Sequence, residues 1–188
     1  DEMTMANVES VYHGSFRNGI YNGHGVYTTN LSNDDNNDFT KVTLNGTFEN
    51  NQFVSGRILS KTRSYMKVVT ITNNNENARI EFLKLDNNYN VIEPHVKLEF
   101  YLGNFEIDPN TFEVTRTGNG ILKKFNDDGS EKSNYVGIFL NNRKNGYGAL
   151  KYKDSHTIYI GTFREDKFHG IGEFIALFPY DNTLQYYK

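Results

Sequence analysis

The 188-residue chain contains no cysteine and no tryptophan, and only three prolines. Without cysteine there are no disulfides and no thiolate metal ligands, and the usage fits a cytoplasmic protein better than a small secreted one. No apolar run approaches the ~20 residues that cross a bilayer as a helix, and no signal-peptide pattern precedes the first recognisable motif. Membrane contact, on this reading, is peripheral. The hydrophobic fraction of 37% and the mean hydropathy of -0.66 are low for a compact globule and suit a thin architecture that buries less. What the chain does have is 13 Tyr, 14 Phe and 16 Gly, together with many Asn in loop-like clusters.

Those aromatics and glycines recur in a fixed phrase. Tyr12-His13-Gly14-Ser15-Phe16-Arg17 returns as Tyr135-Val136-Gly137-Ile138-Phe139-Leu140 and as Tyr159-Ile160-Gly161-Thr162-Phe163-Arg164. A second phrase, Gly23-His24-Gly25, Gly146-Tyr147-Gly148 or Gly170-Ile171-Gly172, begins nine residues after each central glycine. In a β-strand Tyr12, Gly14 and Phe16 share one face, with a bare position between two rings. Glycine inside a strand marks a close approach by something else, and the visitor expected here is an aromatic ring from the adjoining strand. The segments 18–22 and 141–145 are rich in turn residues, so each phrase pair is a β-hairpin.

This pattern of Tyr-x-Gly-x-Phe, turn, Gly-x-Gly and aromatic strand resembles the MORN repeat. The resemblance implies an all-β fold, an elongated single-layer antiparallel sheet of stacked hairpins, and covers residues 1–188 as one repeat domain. Good units span 12–27, 135–152 and 159–174. Degenerate ones fall at about 44–60, where Leu44 stands for Tyr, at about 78–100, and at about 101–125, where an insertion around Asp108-Pro109-Asn110 puts Gly118-Asn119-Gly120 15 residues after Gly103. The hidden copy follows from counting 23 residues back from Gly103 to Ile80. Strands are expected at 65–72, 78–85 and 96–102, separated by the turn-rich 73–77 and 86–90. One short helix or cap is expected at 176–187, from the spacing of Leu177, Tyr180 and Leu184, shortened by Pro179.

Catalytic and cofactor chemistry finds no foothold. The Gly-x-Gly pairs lie inside strands and lead into no helix, so they do not form a phosphate cradle. In the acidic loop Asp34-Asp35-Asn36-Asn37-Asp38 the glycine and the bidentate glutamate of a calcium loop are missing. His13, His24, His95, His156 and His169 are scattered, which predicts no metal site. Carboxylates such as Glu49, Glu81, Glu99, Glu106 and Glu113 are spread along the strands without converging. No cofactor is expected, and the chain itself is read as not an enzyme.

What remains is surface. The residues assigned to a partner-binding groove are Tyr12, Phe16, Tyr27, Tyr135, Phe139, Tyr152, Tyr159, Phe163 and Phe174, rings that also hold adjacent hairpins together. The resemblance implies a non-catalytic scaffold or adaptor that takes a partner helix or peptide, in the cytoplasm, with cytoskeletal or membrane-associated components. It also implies two alternatives. One is a regulatory or targeting arm of a larger enzyme, a SET-type lysine methyltransferase or a phosphatidylinositol phosphate kinase. The other is peripheral binding to phosphoinositide or a membrane surface, through Lys61, Arg63 and Lys67, Lys123-Lys124, or Arg143-Lys144. With 20 Lys+Arg against 23 Asp+Glu and a pI near 6.0, neither an anionic bilayer nor nucleic acid is favoured. Exposed strand edges leave a homodimer open.

Overall fold

Alternation and turn chemistry are carried into the structure almost residue for residue. The computed structural model describes the backbone of residues 2–6, 10–33, 38–62, 65–72, 77–88, 90–92, 96–178 and 183–187, and the side chains of those between 10 and 176 other than 31–33 and 38–40. Along them run β1 (Glu2–Ala6), β2 (Ser10–Arg17), β3 (Ile20–Asn33), β4 (Asp38–Glu49), β5 (Gln52–Lys61), β6 (Tyr65–Ile71), β7 (Ala78–Lys84), β8 (Lys97–Ile107), β9 (Val114–Phe125), β10 (Glu131–Leu140), β11 (Arg143–Tyr152), β12 (Thr157–Arg164), β13 (Lys167–Phe178) and β14 (Thr183–Tyr187). They form one antiparallel sheet of 14 strands in chain order, an open array of hairpins.

The register aligns the motif glycines across the whole array. Gly14, Gly25, Gly46, Gly56, Ile71, Ala78, Gly103, Gly120, Gly137, Gly148, Gly161 and Gly172 are successive partners from β2 to β13. One row over, on the same face, lie Tyr12, Tyr27, Leu44, Ile58, Val69, Ile80, Tyr101, Leu122, Tyr135, Leu150, Tyr159 and Phe174. This inner face holds the core.

Two sequence expectations change. The third hairpin is β6–β7, with Ile71 and Ala78 in the glycine places, so Ile80 occupies a tyrosine position and not a glycine one. Counting back a regular interval from Gly103 failed because the extra residues lie between Ile71 and Gly103, 32 apart, whereas Gly46 to Ile71 is a near-regular 25. At the C-terminus there is a strand in place of a helix: β14 pairs with β13 and sets Leu177 opposite Leu184, while Tyr180 and Pro179 lie outside the described residues.

Most hairpins close on two consecutive residues with positive φ, Asn18-Gly19, Asn50-Asn51, Asn141-Asn142 and Glu165-Asp166. That is the type I′ geometry whose twist matches the strands and which, after glycine, Asn tolerates best. The second turn residue also joins neighbours. Asn51 exchanges hydrogen bonds with the backbone of Tyr21, Asn142 with that of Arg116, and Asp166 with that of Lys144. Each turn thus clasps the second strand of the preceding hairpin, and Gly19, in the first hairpin, has no such side chain.

Among the hairpins of β2–β13 whose turns are described, β8–β9 is the exception. Its tip, 108–113, is tied by Asp108, whose carboxylate accepts from the backbone amides of Asn110 and Thr111 and whose carbonyl accepts from that of Phe112. Phe112 sits at φ 57, uncommon for a bulky residue and costing about 1–3 kcal/mol. In return its ring meets that of Tyr27, far back on β3, with centroids 5.5 Å apart. Phe105 and Ile107, at the end of β8 that leads into this tip, face Phe53, Val54 and Ile71 across a small cavity. The tip therefore folds across the inner face of β3–β7, and Val42, Leu44, Ile58, Val69, Ile71 and Ile80 are all buried beneath or beside it.

Candidate partner-binding face

Each motif tyrosine lies flat on the glycine pair of its own hairpin. A Cβ added at Gly148 would come 2.6 Å from the Tyr135 ring, and one at Gly120 would come 2.5 Å from that of Tyr101; Tyr12 and Tyr159 cover Gly25 and Gly172 in the same way. The ring expected from the adjoining strand is thus present. Immediately after the glycine the strand bulges, at Gly14/Phe16, Gly103/Phe105, Gly137/Phe139 and Gly161/Phe163, and frees a carbonyl from the ladder. The tyrosine hydroxyl donates to that carbonyl: Tyr12 to Ser15 (3.1 Å), Tyr101 to Asn104 (2.6 Å), Tyr135 to Ile138 (3.0 Å) and Tyr159 to Thr162 (3.1 Å). Phenylalanine could not do this. Burial pushes the Tyr101 and Tyr135 phenols up to about 12.

The motif phenylalanines stitch hairpins together. Phe139 stands edge-on to Tyr135 and to Tyr101 of the preceding hairpin, both at 5.2 Å, and Phe163 does the same to Tyr159 and Tyr135 at 5.2 and 5.0 Å. Such pairs contribute about 0.5–1.5 kcal/mol each beyond burial.

Above every tyrosine lies one more side chain, from the start of the second strand. Tyr21 stacks on Tyr12 at 3.9 Å, Phe168 lies on Tyr159 at 4.1 Å, and Arg116 and Lys144 place their cations 5.7 and 5.8 Å from the rings of Tyr101 and Tyr135. The order from the sheet outward is glycine backbone, tyrosine ring, covering residue.

This layering sorts the nine ring positions chosen from sequence. Tyr12, Tyr135, Phe139, Tyr159 and Phe163 are buried, Phe16, Tyr27 and Phe174 are half-buried against the core, and Tyr152 is exposed. The structure brings Tyr135, Phe139, Tyr159, Phe163 and Phe174 into one ladder. Tyr27 belongs instead to the region closed by Phe112, and Tyr152 stands one row away beside Ser133 and Thr157. Sequence reasoning missed the covering residues Tyr21, Lys144 and Phe168, of which Phe168 is 42% exposed. Their signal was present, since each follows its motif glycine by seven residues.

Charges around the face are paired. Asp166 meets Lys144 at 2.9 Å; burial raises its carboxyl, but the Lys144 side-chain and backbone hydrogen bonds outweigh that and leave it below the usual carboxylate range. Arg143 meets Glu165, and Lys124 and Arg116 share Glu99, while Lys123, on the opposite face, meets Glu131. Lys67, under the β8–β9 tip, is pushed down by burial, and Arg63 lies outside the described residues. The five carboxylates named from sequence do not converge: Glu81 and Glu99 are held by cations, while Glu49, Glu106 and Glu113 are exposed. Among the described residues no group of three His, Asp or Glu is placed to hold a metal ion, and no helix is long and apolar enough to cross a membrane.

Compared with known proteins, residues 12–30, 135–157 and 159–175 match the MORN repeat family model, which places the matches on β2–β3, β10–β11 and β12–β13. No curated protein matches the chain.

Proposed function

We propose that this chain, a MORN repeat protein, is a non-catalytic interaction scaffold that takes a partner helix or peptide along the inner face of β10–β13. MORN repeats are in general protein- or membrane-interaction modules. All six hairpins from β2 to β13 are read as units of one array, those without the full motif being degenerate, and the protein is placed in the cytoplasm.

The observation that carries this reading is the exposure of Phe168 on a face whose counterpart over β3–β7 is closed by the chain's own hairpin tip. Phe168, Phe174 and Tyr152 offer aromatic area that loses little entropy on contact, and Lys144 and Asp166 supply a polar margin. The buried tyrosines and phenylalanines hold that surface rigid beneath them, which lowers the cost of binding.

The test is an affinity capture of the intact chain with cross-linking mass spectrometry, beside Phe168→Ala and Tyr152→Ala variants of verified fold. Cross-links from one protein onto β10–β13, lost in both variants, are expected. Retention of the same partner by both variants would remove the inner face from the account.

A further inference from the structure

The opposite face of the sheet is not uniform. Along the row on the outer side of the glycines, the first half presents His13, Val26, Asn45, Arg57, Thr70 and Arg79. Apart from Val26, that is the polar surface a sheet open to water on one side should have. The same row continues as Leu102, Ile121, Val136, Ala149 and Ile160 across β8–β12. Ile138, Tyr147 and Ile171 widen it toward the hairpin tips. Leu102 is 42%, Val136 51%, Tyr147 62% and Ile171 90% exposed. Nothing in the fold requires a continuous apolar row, because on this side the β2–β7 hairpins carry Val11, Val26, Leu59 and Val68 interspersed with polar residues. A shallow hollow lies between Leu102, Ile121 and Val136, floored by Gly103, Gly120 and Gly137.

The border of this patch away from the tips carries excess positive charge in a chain whose net charge is -3. Glu81 is bracketed by Arg79 and Lys97, and Glu131 by Lys123 and Lys153, while Lys151 stands exposed between Asn134 and Ile158. On the strands five cations thus face two carboxylates, while the connections beyond them carry Asp127, held by Lys84, together with Asp128 and Asp154.

We propose that the outer face of β8–β12 is a second docking surface, for a protein segment with an apolar stripe bordered by Asp and Glu. Five strands at about 4.8 Å spacing span roughly 19 Å, which a helical segment of roughly 13 residues matches. A protein segment suits the border better than an anionic bilayer, because its acids can be placed against Lys151 and its neighbours while avoiding Glu81 and Glu131. A headgroup layer would press on all of them. With the inner face engaged as well, the sheet would hold two partners on opposite sides.

The experiment is a selection of displayed random peptides of roughly 16 residues on the intact chain, depleted on a Val136→Thr/Ile138→Thr variant. Both substituted positions are exposed, and Thr keeps strand propensity, so an unchanged unfolding midpoint verifies the variant. Enriched peptides should carry apolar residues flanked by Asp or Glu. They should bind about tenfold more weakly to the double variant and to Lys151→Glu, a difference of about 1.4 kcal/mol, and normally to Phe168→Ala. That last result separates this face from the inner one. No peptide that distinguishes the variant, or enrichment of basic ones, would overturn the proposal. So would flotation with phosphatidylserine vesicles that depends on Val136 and Ile138, which would assign the face to lipid.

Discussion

The hairpins of β4–β7 and those of β10–β13 solve one problem in two ways. A single-layer sheet has an inner face with nothing on it. In β10–β13 the aromatic motif covers that face from within: Tyr135 and Tyr159 lie on the glycines, Phe139 and Phe163 lock the rings edge to face, and Lys144 and Phe168 close the stack. In β4–β7 the tyrosine positions hold Leu44, Ile58, Val69 and Ile80, and two glycine positions hold Ile71 and Ala78. Aliphatic side chains cannot lie flat across neighbouring strands, so they need a second layer, and the lengthened β8–β9 hairpin supplies it through Phe105, Ile107 and Phe112. The comparison teaches that the missing rings and the long hairpin belong together. A stretch without motif rings folds here because its neighbour's long hairpin covers it.

The largest effect should come from breaking the self-covering half. In Gly148→Val the new side chain occupies the place of the Tyr135 ring, which a Cβ alone would approach to 2.6 Å. Displacing that ring also strips the Ile138 carbonyl of its donor, and the expected loss is about 3–5 kcal/mol by chemical denaturation. Combining it with Tyr135→Leu, the arrangement of β4, should cost much less than the sum, because the two changes share one space. Additive losses would mean that the ring is not what the glycine makes room for.

Next in size is Phe112→Ala, aimed at the borrowed layer. Truncating a half-buried ring that touches Tyr27 should cost about 1–3 kcal/mol, reduced by any relief of its positive φ. The telling readout is local. Amide exchange should quicken across β4–β7 and stay unchanged in β10–β13; uniform quickening would show that the tip braces the whole sheet and not one half.

The same contrast explains how much could be read from sequence. The fold, the hairpins and the glycine–tyrosine packing were legible because the motif is local: Tyr135, Gly137 and Gly148 announce their roles through spacing alone. The site was half legible. The chosen rings Tyr135, Phe139, Tyr159 and Phe163 do share a face, but strand alternation says which side a residue takes and not how deep it lies, so the covering layer of Lys144 and Phe168 went unnoticed. Phe112 could not be foreseen at all, since its contact with Tyr27 depends on sheet curvature and spans six strands. The helix expected near Leu177 and Leu184 failed because a short i, i+7 pair fits a hairpin as well as a helix.

A smaller effect isolates the hydroxyl. Tyr135→Phe keeps the ring on Gly137 and Gly148 and removes only the donor to the Ile138 carbonyl, at an expected cost of about 1–2 kcal/mol for a buried acceptor left without its partner. Leu44→Phe in β4, where no hydroxyl stands, tests the reverse: a ring there crowds a space already filled by aliphatics and should destabilise by about 1–3 kcal/mol. A stabilising outcome would mean that the aliphatic hairpins have kept room for the motif.

The gentlest perturbation is alkaline pH, and the stability it removes lies in the aromatic part, because Lys67 on β6, pushed down by burial, acts in the opposite sense as it loses its charge. Tyr101 and Tyr135 are neutral phenols that burial carries up to about 12 in the folded chain, against about 10 when unfolded. A raised folded pKa means that the unfolded state gives up its protons first, so this contribution is fully present below pH ~10 and is lost as pH climbs toward ~12. No tyrosine lies in the aliphatic row of Leu44, Ile58, Val69 and Ile80. Loosening between pH ~10 and ~12 should therefore begin in β8–β11, with phenolate absorbance rising together with susceptibility to protease there, before β4–β7 respond. If the aliphatic hairpins opened at the same pH, the two halves would be unfolding as one unit, and the second layer that the β8–β9 tip lends to β4–β7 would have to depend on the tyrosine seating of that same hairpin, through Tyr101 and its bond to Asn104.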